Sequence, residues 1–467
     1  MGLLLVANTV LFAQSLTIRN VTVIDANGVR QHQAVVITGH RITAVATSSS
    51  RVGIDGTGKF LIPALWDMHV HLWESDPMLN LYVAAGVLGI RDMGSRIDRT
   101  RRLRDDVASG KILGPRIYTS GPALDGTASG DSKLPVLACP DPESARQSVD
   151  KVERSSADFV KVLSGLSAEA YRSIAQRARV TRIPFAGHIP DSITALEAVE
   201  ARQLSVEHMF GIPMACTPLE TSLREERDKA RAKDDRAALE KIEERIYSTF
   251  SPRIANDLFH RMAQFNVWQT PTLTLWQRML LRPTERLKVA AEVRYVPEAV
   301  RKDWADAKSD DQPASPSKYD FFAKLANLIV HSGAGVLAGT DTGDRWVVPG
   351  FGLHDELKAM VAAGFTPLEA LTTATLGPAR YFQLESSHGT IAKNKTADLV
   401  LLDADPIADI RNTRRIHAVI VNGRLFNRGC LDSLLAGTSG QCPSPAVSVS
   451  KPAPKSTAKP ARRKGKS

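Results

Sequence analysis

The chain is expected to be an α/β protein, a (β/α)8 barrel with a smaller β-rich region formed by its two ends. Three observations predict this. Short apolar segments recur along the chain, each followed by a stretch long enough for a helix. Several of these segments end in His, Lys or Asp, and a barrel of this kind places its chemistry at the C-terminal ends of its strands. Alternating apolar and polar runs lie before the first such segment and after the last.

Taken in order, residues 16–25 and 33–47 alternate in polarity, with Asn27-Gly28 and Gly39-His40 as turns. The apolar run from Phe60 to Trp66 then leads into Asp67-Met68-His69-Val70-His71. Alternate residues on a strand share a face, so Asp67, His69 and His71 point one way. Two imidazoles at i and i+2 can chelate a divalent metal from one rigid strand, with Asp67 near enough to orient one of them; the plainer reading is a polar strand end with solvated histidines. Further strands are expected at 86–93, 115–120, 158–163, 183–188, 204–209, 267–275 and 335–341, completing eight over roughly 300 residues. The fourth carries Lys161, the fifth His188, the sixth His208 and the eighth Asp341.

Lys161 stands mid-strand between Val160 and Val162, sharing a face with Phe159 and Leu163, where a lone ammonium is costly to desolvate. A buried lysine with a lowered pKa can stay neutral and capture carbon dioxide, becoming an anionic oxygen ligand. The alternative is an ordinary lysine paired with a carboxylate. His188 and His208, as core or loop histidines, would need no such partners, but they fall on consecutive strands.

These segments together resemble the amidohydrolase superfamily, in its imidazolonepropionase-like and prolidase-like branch of metal-dependent hydrolases. The resemblance rests on residues 62–71, 158–162, Ala186-Gly187-His188, Val206-Glu207-His208 and Ala338-Gly339-Thr340-Asp341-Thr342-Gly343, with Thr396 to Val400 and Val421 to Arg424 similar to the C-terminal strands. It covers about Leu16 to Asn427. It implies a TIM-type barrel over 63–383 and a discontinuous β-sandwich from 16–62 and 384–428. It also implies two divalent cations, zinc above all, with His69, His71 and Asp341 on one, His188 and His208 on the other, and an N6-carboxylated Lys161 spanning both. The function expected is hydrolysis of a carbon-nitrogen amide bond, in a dipeptide or an N-acyl amino acid, by a metal-activated bridging hydroxide with Asp341 as the proton shuttle. A cyclic-amide hydrolase and a secreted binding protein that has lost catalysis on the same fold are the alternatives.

Other features bound this reading. The formal charge of +10 owes much to 451–467, which holds lysines, Arg462 and Arg463 but no acid, so 429–467 reads as a basic disordered tail. No phosphate-binding glycine loop or zinc-finger spacing is present, so nucleic acid is not an expected partner, whereas a small amide or peptide is. A homo-oligomer is compatible with the sequence. Residues 1–15 resemble a secretory signal, with an apolar run too short to span a bilayer, so the protein is expected to be secreted or periplasmic, with a cytoplasmic leader strand as the alternative. Cys430 and Cys442 are positioned to pair in an oxidising space, with Cys139 and Cys216 free. Charged helical inserts are expected at 220–265 and 278–331 as shape rather than chemistry, with Leu239, Ile242, Ile246 and Phe250 on one apolar face. Trp73, Trp276 and Trp346 follow strands one, seven and eight, which neighbour one another in a closed barrel, and are candidate substrate contacts; packing of the barrel rim is their plainer role. His354 is weighed evenly between a contact over the metals and the cap of a helix.

Overall fold

The computed structural model describes residues 15–48, 52–72, 78–128, 134–281, 285, 291–306, 315–343, 346–438 and 442. The signal-like segment 1–14, the 443–467 tail and Trp73 lie outside the described residues. The strands are β1 (Ser15–Asp25), β2 (Gly28–Thr38), β3 (Arg41–Thr47), β4 (Ile54–Asp55), β5 (Phe60–Pro63), β6 (Leu65–Val70), β7 (Val87–Asp92), β8 (Arg116–Thr119), β9 (Ala123–Asp125), β10 (Val136–Ala138), β11 (Val160–Val162), β12 (Phe185–Gly187), β13 (Ser205–Glu207), β14 (Trp268–Thr270), β15 (Leu399–Leu402), β16 (Ile416–Val421) and β17 (Arg424–Asn427).

The two ends of the chain share one eight-stranded sheet, ordered β17-β16-β15-β5-β1-β2-β3 with β4 beside β1. The alternation in β1 and β2 buries Ile18, Val21, Val23, Val35 and Ile37 against Leu399, Leu401 and Ile420 from the other end of the sequence. The sheet bends back on itself, because Ile42 N donates to Lys395 O at 2.9 Å and Ala397 N to His40 O at 2.9 Å. The helix Arg428–Leu435 follows β17 and buries Cys430, Leu431 and Leu434. The tail expected from 429 therefore begins as packed structure, anchored by a Cys430–Cys442 disulfide with Cα atoms 4.8 Å apart. Cys139 and Cys216 are free and buried.

Between these ends lie parallel sheets of the TIM-barrel type, β6-β7-β8 and β10-β9-β11-β12-β13-β14. Their strands are short and buried on both faces, as parallel strands with helices outside and side chains inside must be. The segment 335–342 runs between β14 and β6: Leu337 N donates to Gln269 O at 2.8 Å, and Met68 N to Ala338 O at 2.9 Å. At the other seam, between β8 and the segment entering β11, Asp158 N donates to Thr119 O at 2.8 Å. The helices start where local chemistry favours it. Asp141 caps Pro142–Arg154 in a capping box with Ser144, and Ser167 caps Ala168–Thr181.

Three features depart from the sequence expectation. The parallel pair β9-β10 was not expected. The insert from 220 divides after two helices, Glu220–Ala232 and Arg236–Ser248, which bury Leu223, Ile242 and Ile246 together. The third, Pro252–Phe265, packs Ala255, Leu258, Phe259 and Met262 into the main core and feeds β14. The seventh strand stops at Thr270 rather than 275, because Thr272 takes a left-handed conformation and Leu273–Met279 is helical. No helix among the described residues is long and apolar enough to cross a membrane.

Candidate metal centre

The expected ligands converge at one end of the parallel sheets. His69 Nε2 and His71 Nε2 each lie 3.1 Å from Asp341 Oδ1, and one ligand atom from each of the three fits within a 4.8 Å set. The His69 and His208 rings are 4.7 Å apart, and those of His188 and His208 5.3 Å. Backbone geometry at the strand ends allows this. Period-two alternation would send Glu207 and His208 to opposite faces, but His208 has φ 58° and Asp341 φ 60°, so the chain kinks at both residues and both side chains turn inward. At Gly187, before His188, a Cβ would stand 2.1 Å from Val162 O. At Gly339 one would stand 2.8 Å from His69 N, so only glycine lets these strands approach.

Every imidazole is held through Nδ1. His71 donates to Gly94 O at 3.0 Å, His188 pairs with Ser164 Oγ at 2.9 Å, and His208 pairs with Thr272 Oγ1 at 2.8 Å. His69 Nδ1 donates to Glu207 Oε2 at 2.8 Å. Holding one ring nitrogen fixes the ring and directs the other toward a shared cation.

Two further residues of the site, Glu207 and Arg91, have no assigned role in the sequence reading. Arg91 is fully buried, and its Nη2 lies 2.9 Å from both Glu207 oxygens. The available signal was the same as for Lys161, a charged side chain in the middle of an apolar strand. The role expected of Asp67 needs correcting. Its Oδ1 accepts from the His69 and Thr340 backbone N–H groups, and its Oδ2 from Thr340 Oγ1 at 2.7 Å, so it braces the strand while Glu207 holds the ring. Burial pushes the Asp67 carboxyl up to about 7.

The electrostatics suit cation binding. Burial, with Lys161 and His208 nearby, drives His188 well below the usual imidazole range, and burial takes His208 to about 3, so both are neutral donors. Burial alone would depress His71, but the Asp341 carboxylate outweighs it and raises it. Burial opposes ionisation of Asp341, yet the His69 and His71 imidazoles hold it well below the carboxylate range. Lys161 is 1% exposed, and burial brings its ammonium down to about 8 against the pull of Glu207 and Asp341. Among the described residues, buried Lys161 Nζ has no hydrogen-bond partner, and the polar atoms facing His69 Nε2 and Asp341 Oδ1 belong to this same cluster. Native proteins rarely leave a buried polar atom such as Nζ unpaired. Nitrogen and carboxylate donors gathered in this way fit a divalent cation.

The aromatic residues divide. Trp276 stacks on Phe322 at 4.2 Å and meets Phe210 edge-on at 6.2 Å, and Phe210 lies 4.9 Å from the His188 ring and 5.0 Å from that of His208. Trp346 packs instead with Trp304, Met78 and Val296, in a cluster that excludes Trp276, so the two do not form one wall. His354 turns Nδ1 to Thr413 Oγ1 and Nε2 to Ala85 O, so both ring nitrogens are occupied inside the helix packing and neither serves a substrate. Burial, aided by Arg414, lowers it to about 3.

An N-acetylglucosamine-6-phosphate deacetylase from Lysinibacillus sphaericus is 39% identical over 64 residues, which is 13% of this chain and 16% of that protein. The chain therefore matches about a sixth of that curated relative's length. A solved structure of a Xaa-Pro dipeptidase with bound methionine superposes with TM-score 0.63 at 20% identity, covering 89% of this chain and 100% of that one. Bottromycin amidohydrolase gives TM-score 0.69 at 18% identity, over 93% of each chain. Likenesses at these identities establish a shared fold. The model of the amidohydrolase family matches residues 60–426, from the β5 strand through the ligand-bearing strand ends to β17, and the chain belongs to that family.

Proposed function

We propose that the protein is a binuclear metal-dependent hydrolase that cuts the carbon-nitrogen amide bond of a dipeptide or N-acyl amino acid. His69, His71 and Asp341 would hold one cation, His188 and His208 the other, and an N6-carboxylated Lys161 would bridge them, zinc being the expected metal. The observation that carries this reading is the convergence of nitrogen and carboxylate groups from five strand ends, with Lys161 Nζ left without a hydrogen-bond partner among the described residues. Bound divalent cations would polarise the scissile carbonyl and lower the pKa of water beside it. Asp341, whose Oδ1 faces both His69 and His71, would take a proton and return it to the leaving amine. Hydrogen bonds at both seams of the parallel sheets support a closed eight-stranded barrel, and the bent terminal sheet supports a β-sandwich. The Cys430–Cys442 bond supports folding in an oxidising compartment.

The shared fold with a Xaa-Pro dipeptidase supports a dipeptide-sized substrate. The test is elemental analysis of the purified protein with a panel of dipeptides and N-acyl amino acids. About two divalent ions per chain and turnover of the panel are expected. A metal-loaded sample that opens cyclic amides but leaves the panel untouched would transfer the assignment to the cyclic-amide alternative.

Phe210 offers a half-buried apolar ring beside His188 and His208, so the substrate group lying over it is expected to be apolar. Phe210→Ala should lower kcat/KM about 10-fold more for a Phe-based than for an Ala-based substrate, in line with about 1–3 kcal/mol for a lost apolar contact. Trp346→Ala should lower both alike, by loosening the rim. An equal loss for the two substrates in Phe210→Ala would remove this ring from the pocket.

A further inference from the structure

His69 differs from the other three imidazoles in what holds it. Their Nδ1 atoms turn to neutral oxygens, whereas His69 donates to a carboxylate. That carboxylate, Glu207, is fully buried and also accepts from Ser205 Oγ at 2.5 Å and from Arg91. Arg91, equally buried, is itself tied to three other elements: Nε donates to Met68 O at 2.6 Å on β6, Nη1 to Tyr381 Oη at 2.8 Å, and Nη2 to Thr270 Oγ1 at 3.2 Å on β14. Its guanidinium also lies 5.0 Å from the centre of the Tyr381 ring. A buried ion pair of this kind contributes little net stability over an apolar replacement, because desolvating both charges offsets their attraction. Stability therefore does not explain it. Its anionic end sits against the back of one imidazole whose other nitrogen faces Asp341 Oδ1 at 3.1 Å, in the ligand cluster.

We infer that Glu207 is a positioning residue for the metal centre: it holds His69 with Nδ1 protonated and Nε2 directed at the cation position, and its charge strengthens that nitrogen as a donor. Arg91 fixes Glu207 in turn, through its contacts to β6, β14 and Tyr381, so that the carboxylate cannot swing into the site and become a ligand itself. The cation on the His69 side is consequently held more tightly than it would be by a neutrally partnered imidazole. The inference rests on the metal reading of the site, but on no particular substrate.

The test is zinc affinity, measured by competition with a chromophoric chelator, together with the visible absorption of the cobalt-loaded protein. Glu207→Gln keeps the shape and an acceptor oxygen but loses the charge. It should weaken the tighter zinc by about 10- to 100-fold and shift the cobalt spectrum. Because that change strands Arg91 as an unpaired buried charge, the paired variant Arg91→Gln/Glu207→Gln is measured beside it. The pair should fold, shown by a cooperative melt, and keep the weakened zinc. A folded pair with wild-type affinity overturns the inference. Failure of the pair to fold also overturns it, by making the ion pair a requirement of the fold. Wild-type protein that takes up no zinc would instead remove the metal assignment, a result distinct from either.

Discussion

Lys161→Ala is expected to lose metal and activity together. The Nζ atom is buried and without a hydrogen-bond partner among the described residues, and burial lowers the ammonium to about 8, so more of it is neutral and able to react with carbon dioxide than in an exposed lysine. A carbamate there would replace an unsatisfied cation by an anionic oxygen donor among His69, His188, His208 and Asp341. Removing it takes away a shared ligand rather than an outer partner. The loss in activity should therefore exceed the roughly 100-fold at the top of the range for outer-partner changes. Metal content should fall by at least one equivalent in the same sample. Lys161→Glu, which offers a shorter carboxylate, should recover part of the metal but little of the rate. An alanine variant that keeps two ions, or full turnover, would return Lys161 to the status of a buried lysine with an electrostatic role only.

Much of this cluster was legible in the sequence because its side chains come from strand ends, where a histidine or aspartate closing an apolar run is conspicuous. His69, His71, His188, His208 and Asp341 all stand where that pattern put them, and the alternating runs at the two ends do pair into one sheet. Residues whose role depends on contacts far along the chain were less readable. Arg91 and Glu207 meet across 116 positions, and no local pattern announces such a pairing. The kink at Thr272 ends the seventh strand early and moves Trp276 onto a helix, and Thr is not a residue from which a left-handed conformation is expected. Trp346 and His354 lie near Asp341 in sequence, but their environments are set by Trp304, Thr413 and Ala85, which come from elsewhere. Spacing locates an element in the chain. Which face meets which neighbour is decided by tertiary packing.

Asp341→Asn should keep the fold and lose turnover, with kcat falling about 10²- to 10⁴-fold, the usual range for removing a general acid-base group. The amide is nearly isosteric and still presents an oxygen beside His69 and His71, so the melting temperature should move little. What it lacks is the ability to take up a proton and pass it on. That difference has a signature beyond loss of rate. If Asp341 protonates the leaving amine, the loss should shrink when the leaving group needs less help. A substrate releasing a weakly basic aryl amine should therefore suffer less from Asp341→Asn than one releasing an amino acid. If the role were only to ligate a cation, both substrates would lose rate by the same factor, and metal content would fall in parallel. Equal losses with reduced metal would thus leave the shuttle unassigned to Asp341, whereas unequal losses at constant metal would assign it there.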